Sequence, residues 1–317
     1  MMLDAFEFHL ANDWQRGFPL TPRPFTEIAA ATRSSEDRVI EGYGSLTERG
    51  IVDRIGPVYR PNTVGASMLA AMAVPRGQLC AVAALVNSHP GVNHNYEREH
   101  RYNLWFVAAA PSAAGLRWTL SCIESATGIA ILRLPLLEEF HIDLGFDLET
   151  HSVPRRPPDS AAPPELEDAE KPLAALLAGG LPLVPRPYAA FDSREDEVIA
   201  TLERWVEQGI VRRVGAVVRH RRLGYQANAM VVWDLPDEEA ANFGRQLAAD
   251  PAVTLCYRRA RVLPDWSYNL YCMVHGRERA RVRCEIERIS ALYGVDRFAR
   301  AVLFSNRCFR QKAANYG

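Results

Sequence analysis

RGIVDRIGPV at Arg49–Val58 returns as QGIVRRVGAV at Gln208–Val217, 159 residues later. That echo decides the fold, because self-similarity at a long, fixed period is the mark of a repeated architecture. Working outward, SSEDRVI (Ser34–Ile40) matches SREDEVI (Ser193–Ile199) at the same offset, and FPLTPRPF (Phe18–Phe25) matches LPLVPRPY (Leu181–Tyr188) at an offset of 163. Downstream, HNYERE from His94 aligns with LCYRRA from Leu255, and YNLWF from Tyr102 with YNLYC from Tyr268, at offsets of 161 and 166. Five ordered matches at nearly constant spacing identify a tandem duplication. Between the copies, residues 151–172 hold six prolines. Such a stretch neither nucleates a helix nor pairs as a central strand, and reads as a semi-stiff linker.

Within a copy the hydrophobic period changes once. Ile28, Ala29, Val39, Ile40, Tyr43 and Leu46 fall at helical spacing, Ser35 suits a helix N-cap, and Gly50 a helix stop. Ile51–Val58 then alternates like a strand. Short helices followed by a strand pair describe a winged helix-turn-helix. The remainder of each copy reads β-α-β-β-α-β, the ferredoxin-like split unit. Its strands are expected near Ala66–Val74, Gly91–Arg98, Tyr102–Ala110 and Ile129–Leu134, then near Tyr225–Asp234, Ala252–Ala260, Ser267–His275 and Val295–Val302. The expected class is α+β. Winged helices span 1–62 and 173–221, and ferredoxin-like domains span 63–150 and 222–317.

Composition excludes several functions. Charge nearly cancels, with 37 Lys+Arg against 38 Asp+Glu, which argues against a polybasic nucleic-acid or membrane binder. The helices that would enter a DNA groove, SSEDRVIEGYGSLTERG and SREDEVIATLERWVEQG, carry more acids than bases. No apolar run reaches the roughly 18 residues that a bilayer span needs, and MMLDAFEFHLANDW lacks the pattern of a secretory signal. Six scattered cysteines without CxxC suggest buried thiols in a reducing, cytoplasmic setting and argue against a zinc site. No GxGxxG, Walker, HExxH or GxSxG motif supports a dinucleotide, nucleotide, zincin or serine-hydrolase reading.

The densest polar cluster lies at the hairpin between the second and third ferredoxin-like strands. Copy one has NHNYEREHRYNLWF, with His94, Tyr96, Arg98, His100, Tyr102 and Asn103. Copy two has CYRRARVLPDWSYNLYCMVHG, with Tyr257, Arg258, Arg259, Arg261, Trp266 and His275. Strand alternation places His94, Tyr96 and Arg98 on one face. Phenol rings offer stacking, arginine forks clamp carboxylates, and imidazoles exchange protons near neutrality, so the cluster suits a flat, polyanionic ligand. His94 aligns with Leu255, which assigns proton chemistry to copy one and arginine walls to copy two. His9, His89, His141, His151 and His220 are read as ordinary histidines.

These strings carry a family resemblance over nearly the whole chain outside the linker. A winged helix followed by βαββαβ resembles the Lrp/AsnC proteins, and FPLTPRPF, HNYEREHRYNLWF, LPLVPRPY and CYRRARVLPDWSYNLYCMVHG resemble the siroheme decarboxylases of heme d1 biosynthesis. Copy one is similar to their D-type subunit and copy two to their L-type subunit. The resemblance implies a carboxy-lyase that removes the C12 and C18 acetate carboxyls of siroheme to give didecarboxysiroheme. It implies no cofactor beyond the iron of the siroheme substrate, and no protein metal site. His94 and His100 would be catalytic. Tyr96, Arg98, Tyr102, Asn103, Tyr257, Arg258, Arg259, Arg261, Trp266 and His275 would bind substrate. The expected partner is the iron tetrapyrrole, not nucleic acid or membrane. The two copies would form an intramolecular pseudo-dimer, with room for further association. The alternatives are an Lrp/AsnC-type DNA-binding regulator sensing a small ligand or tetrapyrrole, and a tetrapyrrole chaperone without activity.

Overall fold

The computed structural model describes residues 3–142, 145, 147–149, 164–191 and 194–314. Most of the proline-rich linker, His151 and the start of SREDEVI lie outside the described residues. The chain divides into two compact units, and each repeat contributes half of each.

The first unit, residues 3–64 and 164–224 with 145 and 147–149, holds the helix-turn-helix halves. Copy one supplies α1 (Ala5–Asn12), α2 (Pro24–Thr32), α3 (Glu36–Glu48) and β1 (Val52–Tyr59). The Ser35 hydroxyl accepts from the Arg38 N–H at 3.3 Å and caps α3. α3 buries Val39, Tyr43 and Leu46. Copy two supplies α6 (Lys171–Ala178), α7 (Glu195–Glu207) and β7 (Val211–Val218), with only a 3-10 turn at Pro187–Ala190 where copy one has α2. The repeated PRP strings have a shared purpose. Arg23 pairs with Glu36 and Arg186 with Glu195, so each string pins the first turn of the next helix.

The strand pair expected inside each winged helix forms between the copies instead. β1 runs antiparallel to β7, with Gly56 opposite Gly215. A Cβ on Gly215 would lie 2.3 Å from the Gln15 carbonyl oxygen, so only glycine admits that close approach.

The second unit, residues 65–142 and 225–314, carries the ferredoxin-like halves. Copy one gives β2 (Ala66–Met72), α4 (Leu79–Ser88), β3 (Val92–Arg98), β4 (Leu104–Ala110), α5 (Ala113–Thr127), β5 (Ile131–Leu134) and β6 (Leu136–Ile142). Copy two gives β8 (Ala227–Trp233), α8 (Asp237–Ala248), β9 (Val253–Arg259), β10 (Leu270–Gly276), α9 (Arg279–Leu292) and β11 (Arg300–Gln311). The strand order is β5-β2-β4-β3-β11-β8-β10-β9-β6.

Two strands join the copies. β11 pairs with its own β8 through Phe304 and then with β3 of copy one from Ser305 onward. In copy one, β5 pairs with its own β2, and β6, beyond Pro135, pairs with β9 of copy two. The expectation of a strand near Val295–Val302 is corrected, since it begins at Arg300 and runs to Gln311. Val295 is apolar because it closes the end of α9, its N–H donating to the Ser290 carbonyl while its side chain packs in the core.

Three cores result. α4 and α5 cover one face of the copy-one strands, with Val82, Val86, Leu116 and Leu120 against Phe106 and Ala108. α8 and α9 do the same in copy two, with Phe243, Leu247 and Ile286 against Trp233 and Leu270. A third core joins the opposite faces, where Trp105 and Leu134 meet Tyr257, Trp266, Tyr271 and Leu303. Those are the inner faces.

β6 is held against α8 by Phe140 over Gly244, where a Cβ would come within 2.1 Å of the ring. Gly244→Val is expected to cost about 1–3 kcal/mol through overpacking, measured as a lower urea midpoint. An unchanged midpoint would mean that Phe140 is free to move aside.

Candidate functional site

The face assignment starts from asparagines. Asn95 donates to the Ala83 carbonyl at 3.3 Å and to Asn87 at 3.0 Å, so it points toward α4. His94, Tyr96 and Arg98 therefore share the inner face. Arg98 lies 5.7 Å over the Tyr96 ring and donates to the Leu303 carbonyl at 3.1 Å. Copy two repeats the device. Arg259 lies 4.6 Å over Tyr257 and donates to the Leu134 carbonyl at 2.6 Å. Arg98 thus reaches from its own copy to β11 of the other, and Arg259 to the end of β5. Burial lowers the Arg259 pKa below its ordinary value, yet no carboxylate pairs with it among the described residues. A partly buried cation so placed is suited to a ligand carboxylate.

The two hairpins are braced alike. The Asn103 carboxamide accepts from the Val74 N–H at 2.9 Å and donates to the Val74 carbonyl at 2.8 Å. The Asn269 carboxamide does the same to Leu235, at 3.0 Å both ways, and also donates to Asp237. Asn103, expected to contact substrate, has its amide committed to the backbone.

His94 and His100 are not brought together. Four residues of strand, at about 3.3 Å each, separate His94 from Arg98, and His100 lies beyond that end in the hairpin. His94 stands 6.2 Å from the Tyr96 ring and opposite Val107 and Gln311. His100 stacks on Tyr102 at 6.1 Å and meets Trp266 edge-on at 5.3 Å. Its Nδ1 accepts the Tyr102 backbone N–H at 3.0 Å, which places the proton of the neutral ring on Nε2.

Burial, and then the Arg101 charge, lower the His100 pKa below 6.5. An unfolded chain therefore binds this proton more readily, and the contribution of His100 to stability, present above about pH 6.5, is lost as pH falls. His100→Gln is expected to flatten the fall in urea midpoint between about pH 7 and pH 5. A slope as steep as that of the unsubstituted chain would count against it.

Trp266 is only 1% exposed, sits against Trp105 and Tyr268, and donates from Nε1 to the Tyr271 hydroxyl at 2.6 Å. It supports the hairpins from within. Arg258 and Arg261, expected beside Arg259 as carboxylate clamps, are held by this chain's own acids. Both pair with Asp237, and Arg261 also with Asp234. Hydrogen bonding from Asn269 first, and then from Arg261, holds the Asp237 carboxyl below its usual range. Strand alternation turns Arg258 away from Tyr257 and Arg259. Tyr102 is buried, which pushes its phenol pKa upward. His275 lies on the inner face at the end of β10, its Nδ1 2.7 Å from the Thr254 hydroxyl.

Three inner-face residues were not singled out from the sequence. Register places Glu139 opposite Tyr257, Cys308 opposite Tyr96 and Gln311 opposite His94. All three arrive on strands that cross between copies, a pairing with no local signature. Among the described residues no His/Cys/Asp/Glu cluster is arranged to hold a metal ion.

Facing split βαβ units with paired tyrosine–arginine faces, carried with helix-turn-helix halves, define an Lrp/AsnC-like protein. Residues 64–141 and 222–310 match the AsnC-like ligand binding domain, and residues 9–52 the siroheme decarboxylase NirDL-like HTH domain. The siroheme decarboxylase NirDL subunit of Paracoccus denitrificans is 44% identical over 99% of this chain and 98% of its own. The siroheme decarboxylase of Hydrogenobacter thermophilus is 33% identical over 95% and 92%. A crystal structure of the siroheme decarboxylase NirDL superposes with a TM-score of 0.69 at 30% identity, covering 98% of this chain and 94% of that one. A co-complex of that enzyme with an iron-uroporphyrin III analogue gives 0.68, covering 98% and 93%. The chain belongs to the siroheme decarboxylase family, in its fused NirDL form, a family of carboxy-lyases.

Proposed function

We propose that this chain removes the carboxyl groups of the C12 and C18 acetates of siroheme, giving didecarboxysiroheme. The observation that carries the reading is the inner-face group His94–Tyr96–Arg98 with its counterpart Tyr257–Arg259. It combines ring surface, buried cation and imidazole, which are the features a polycarboxylate macrocycle needs. Arg98 and Arg259 hold carboxylates that do not react. Loss of carbon dioxide leaves an electron pair on the acetate methylene, and His94 delivers the proton that converts it to methyl. His100, with Nε2–H as a fixed donor, orients an acetate. Tyr96 and Tyr257 lie along the macrocycle. Tyr102, Asn103, Arg258, Arg261 and Trp266 act as positioning residues through the hairpins. The iron belongs to the substrate, and the reading calls on no added organic cofactor.

Exposed acids on α3 and α7, including Asp37, Glu48, Asp196 and Glu203, face away from any role on a phosphate backbone and favour the enzyme over a DNA regulator. Six free cysteines fit the proposed cytoplasmic setting. Among the described residues no helix is long and apolar enough to cross a membrane. The test is anaerobic incubation of the purified chain with siroheme, followed by mass spectrometry. Loss of two carbon dioxide units is expected. Tight binding with unchanged ligand mass would leave a chaperone, and the reading would fall.

A further inference from the structure

We propose that Tyr271 is a positioning residue for the decarboxylation, setting through Tyr257 the point at which Arg259 holds a tetrapyrrole carboxylate. This inference rests on the decarboxylase reading above and deepens it by naming what orders that clamp.

An arginine holds a carboxylate well where its fork is already fixed, because a free side chain gives up rotamer freedom on binding. Arg259 has two fixed points. Its Nη1 donates to the Leu134 carbonyl at 2.6 Å, and its guanidinium lies 4.6 Å over the Tyr257 ring. The first anchors one nitrogen, and the second seats the cation on a ring face. That seat is only as steady as Tyr257.

Tyr257 is steadied from across the ladder. Tyr271 on β10 is its register partner, and the two rings stack at 5.5 Å with 19° between their planes. Tyr271 is fully buried, and burial pushes its phenol pKa upward, so it stands there as a neutral ring. Its hydroxyl accepts from Trp266 Nε1 at 2.6 Å and donates to the Tyr268 carbonyl at 3.5 Å. Stacking alone would need only phenylalanine. The hydroxyl ties the ring to the hairpin and so fixes the far end of the series Trp266, Tyr271, Tyr257, Arg259. Trp266 also meets His100 at 5.3 Å, so the brace that seats the arginine of copy two begins beside the imidazole of copy one.

Copy one repeats the arrangement with different chemistry. Trp105 takes the place of Tyr271 when YNLWF is aligned with YNLYC, and it stands opposite Tyr96 as Tyr271 stands opposite Tyr257. Its Nε1 donates to the carbonyl of Tyr102, the counterpart of Tyr268, at 2.7 Å. Each ring is buried, and each is tied by its one polar atom to the equivalent hairpin carbonyl. An apolar ring would fill either place without needing a partner. A tethered ring beside both tyrosine–arginine pairs therefore points to orientation rather than bulk.

The experiment uses the whole chain and steady-state decarboxylation of siroheme, read by mass spectrometry. Tyr271→Phe keeps the ring and is expected to raise KM about fivefold with kcat within about twofold, the pattern of lost binding rather than lost chemistry. Tyr271→Leu, which loses the stack as well, should raise KM about twentyfold. In an Arg259→Met chain there is no guanidinium to seat, so adding Tyr271→Phe should move KM by less than about twofold. An unchanged KM in Tyr271→Phe would overturn the proposal. So would an equal rise in the Arg259→Met chain, which would make Tyr271 a support of the fold alone. Either result leaves the decarboxylase reading standing, whereas absence of decarboxylation by the unsubstituted chain would remove both.

Discussion

His94→Ala is expected to lower siroheme turnover by about a hundredfold to ten-thousandfold, the range that a positioned acid–base group supplies. Affinity should change far less, because Arg98 and Arg259, the proposed holders of the unreactive carboxylates, remain in place. Stability should also hold. His94 is only partly buried on its strand, belongs to none of the three cores, and faces Val107 and Gln311 across the ladder. Truncations away from core packing stay within about 0.5 kcal/mol. The measurement is a single-turnover rate beside a titration of tetrapyrrole absorbance. Turnover within about threefold of the unsubstituted chain would remove His94 from the reaction, since so small a change is under 1 kcal/mol of barrier.

Trp266→Ala is expected to cost about 3–5 kcal/mol of stability, the range for deleting a large buried aromatic. The ring touches His100, Tyr102, Trp105 and Tyr268 at centroid distances of 4.9 to 5.9 Å, and its N–H satisfies the buried Tyr271 hydroxyl. Removing it opens a cavity and takes away the short bond to the Tyr271 hydroxyl, which keeps only its 3.5 Å bond to the Tyr268 carbonyl. Guanidinium unfolding at fixed pH measures the loss, and a cost below about 1 kcal/mol would show that the hairpins collapse onto the gap. Trp266→Phe, which fills the space and lacks the donor, separates the two contributions. Catalytic loss should appear mainly through His100, as a rise in KM out of proportion to kcat.

Much of this was legible because duplication doubles each signal. Helices α2 to α5 and α7 to α9, seven of the eight expected ferredoxin-like strands and the inner-face placement of Tyr96 and Arg98 follow from period and repeat; α1 and α6 do not, and α6 begins inside the stretch read as linker. Nor does β6. LLEEFHI is interrupted by two register shifts, and its partner, β9, lies more than a hundred residues away in the other copy. The site was legible in composition more than in geometry. Arg258, Arg259 and Arg261 are equivalent as letters, yet alternation and two aspartates set Arg258 and Arg261 apart from Arg259. Asn103 and Tyr102 were grouped with the site because they neighbour His100, and only the register shows one gripping Val74 and the other filling the core. The separation of His94 from His100 was in principle countable, since six residues of near-extended chain cannot bring two side chains to one carbon.

β11 begins against its own copy and finishes against the other, while β6, which follows β5 directly, pairs with the other copy. Neither half can complete its sheet alone, so a single half made by itself would present raw β-edges and associate with whatever strand it met. The halves are therefore obligate folding partners whether or not a peptide bond joins them. Fusion fixes the ratio of the two halves at one to one and turns assembly from an encounter between molecules into a step of folding.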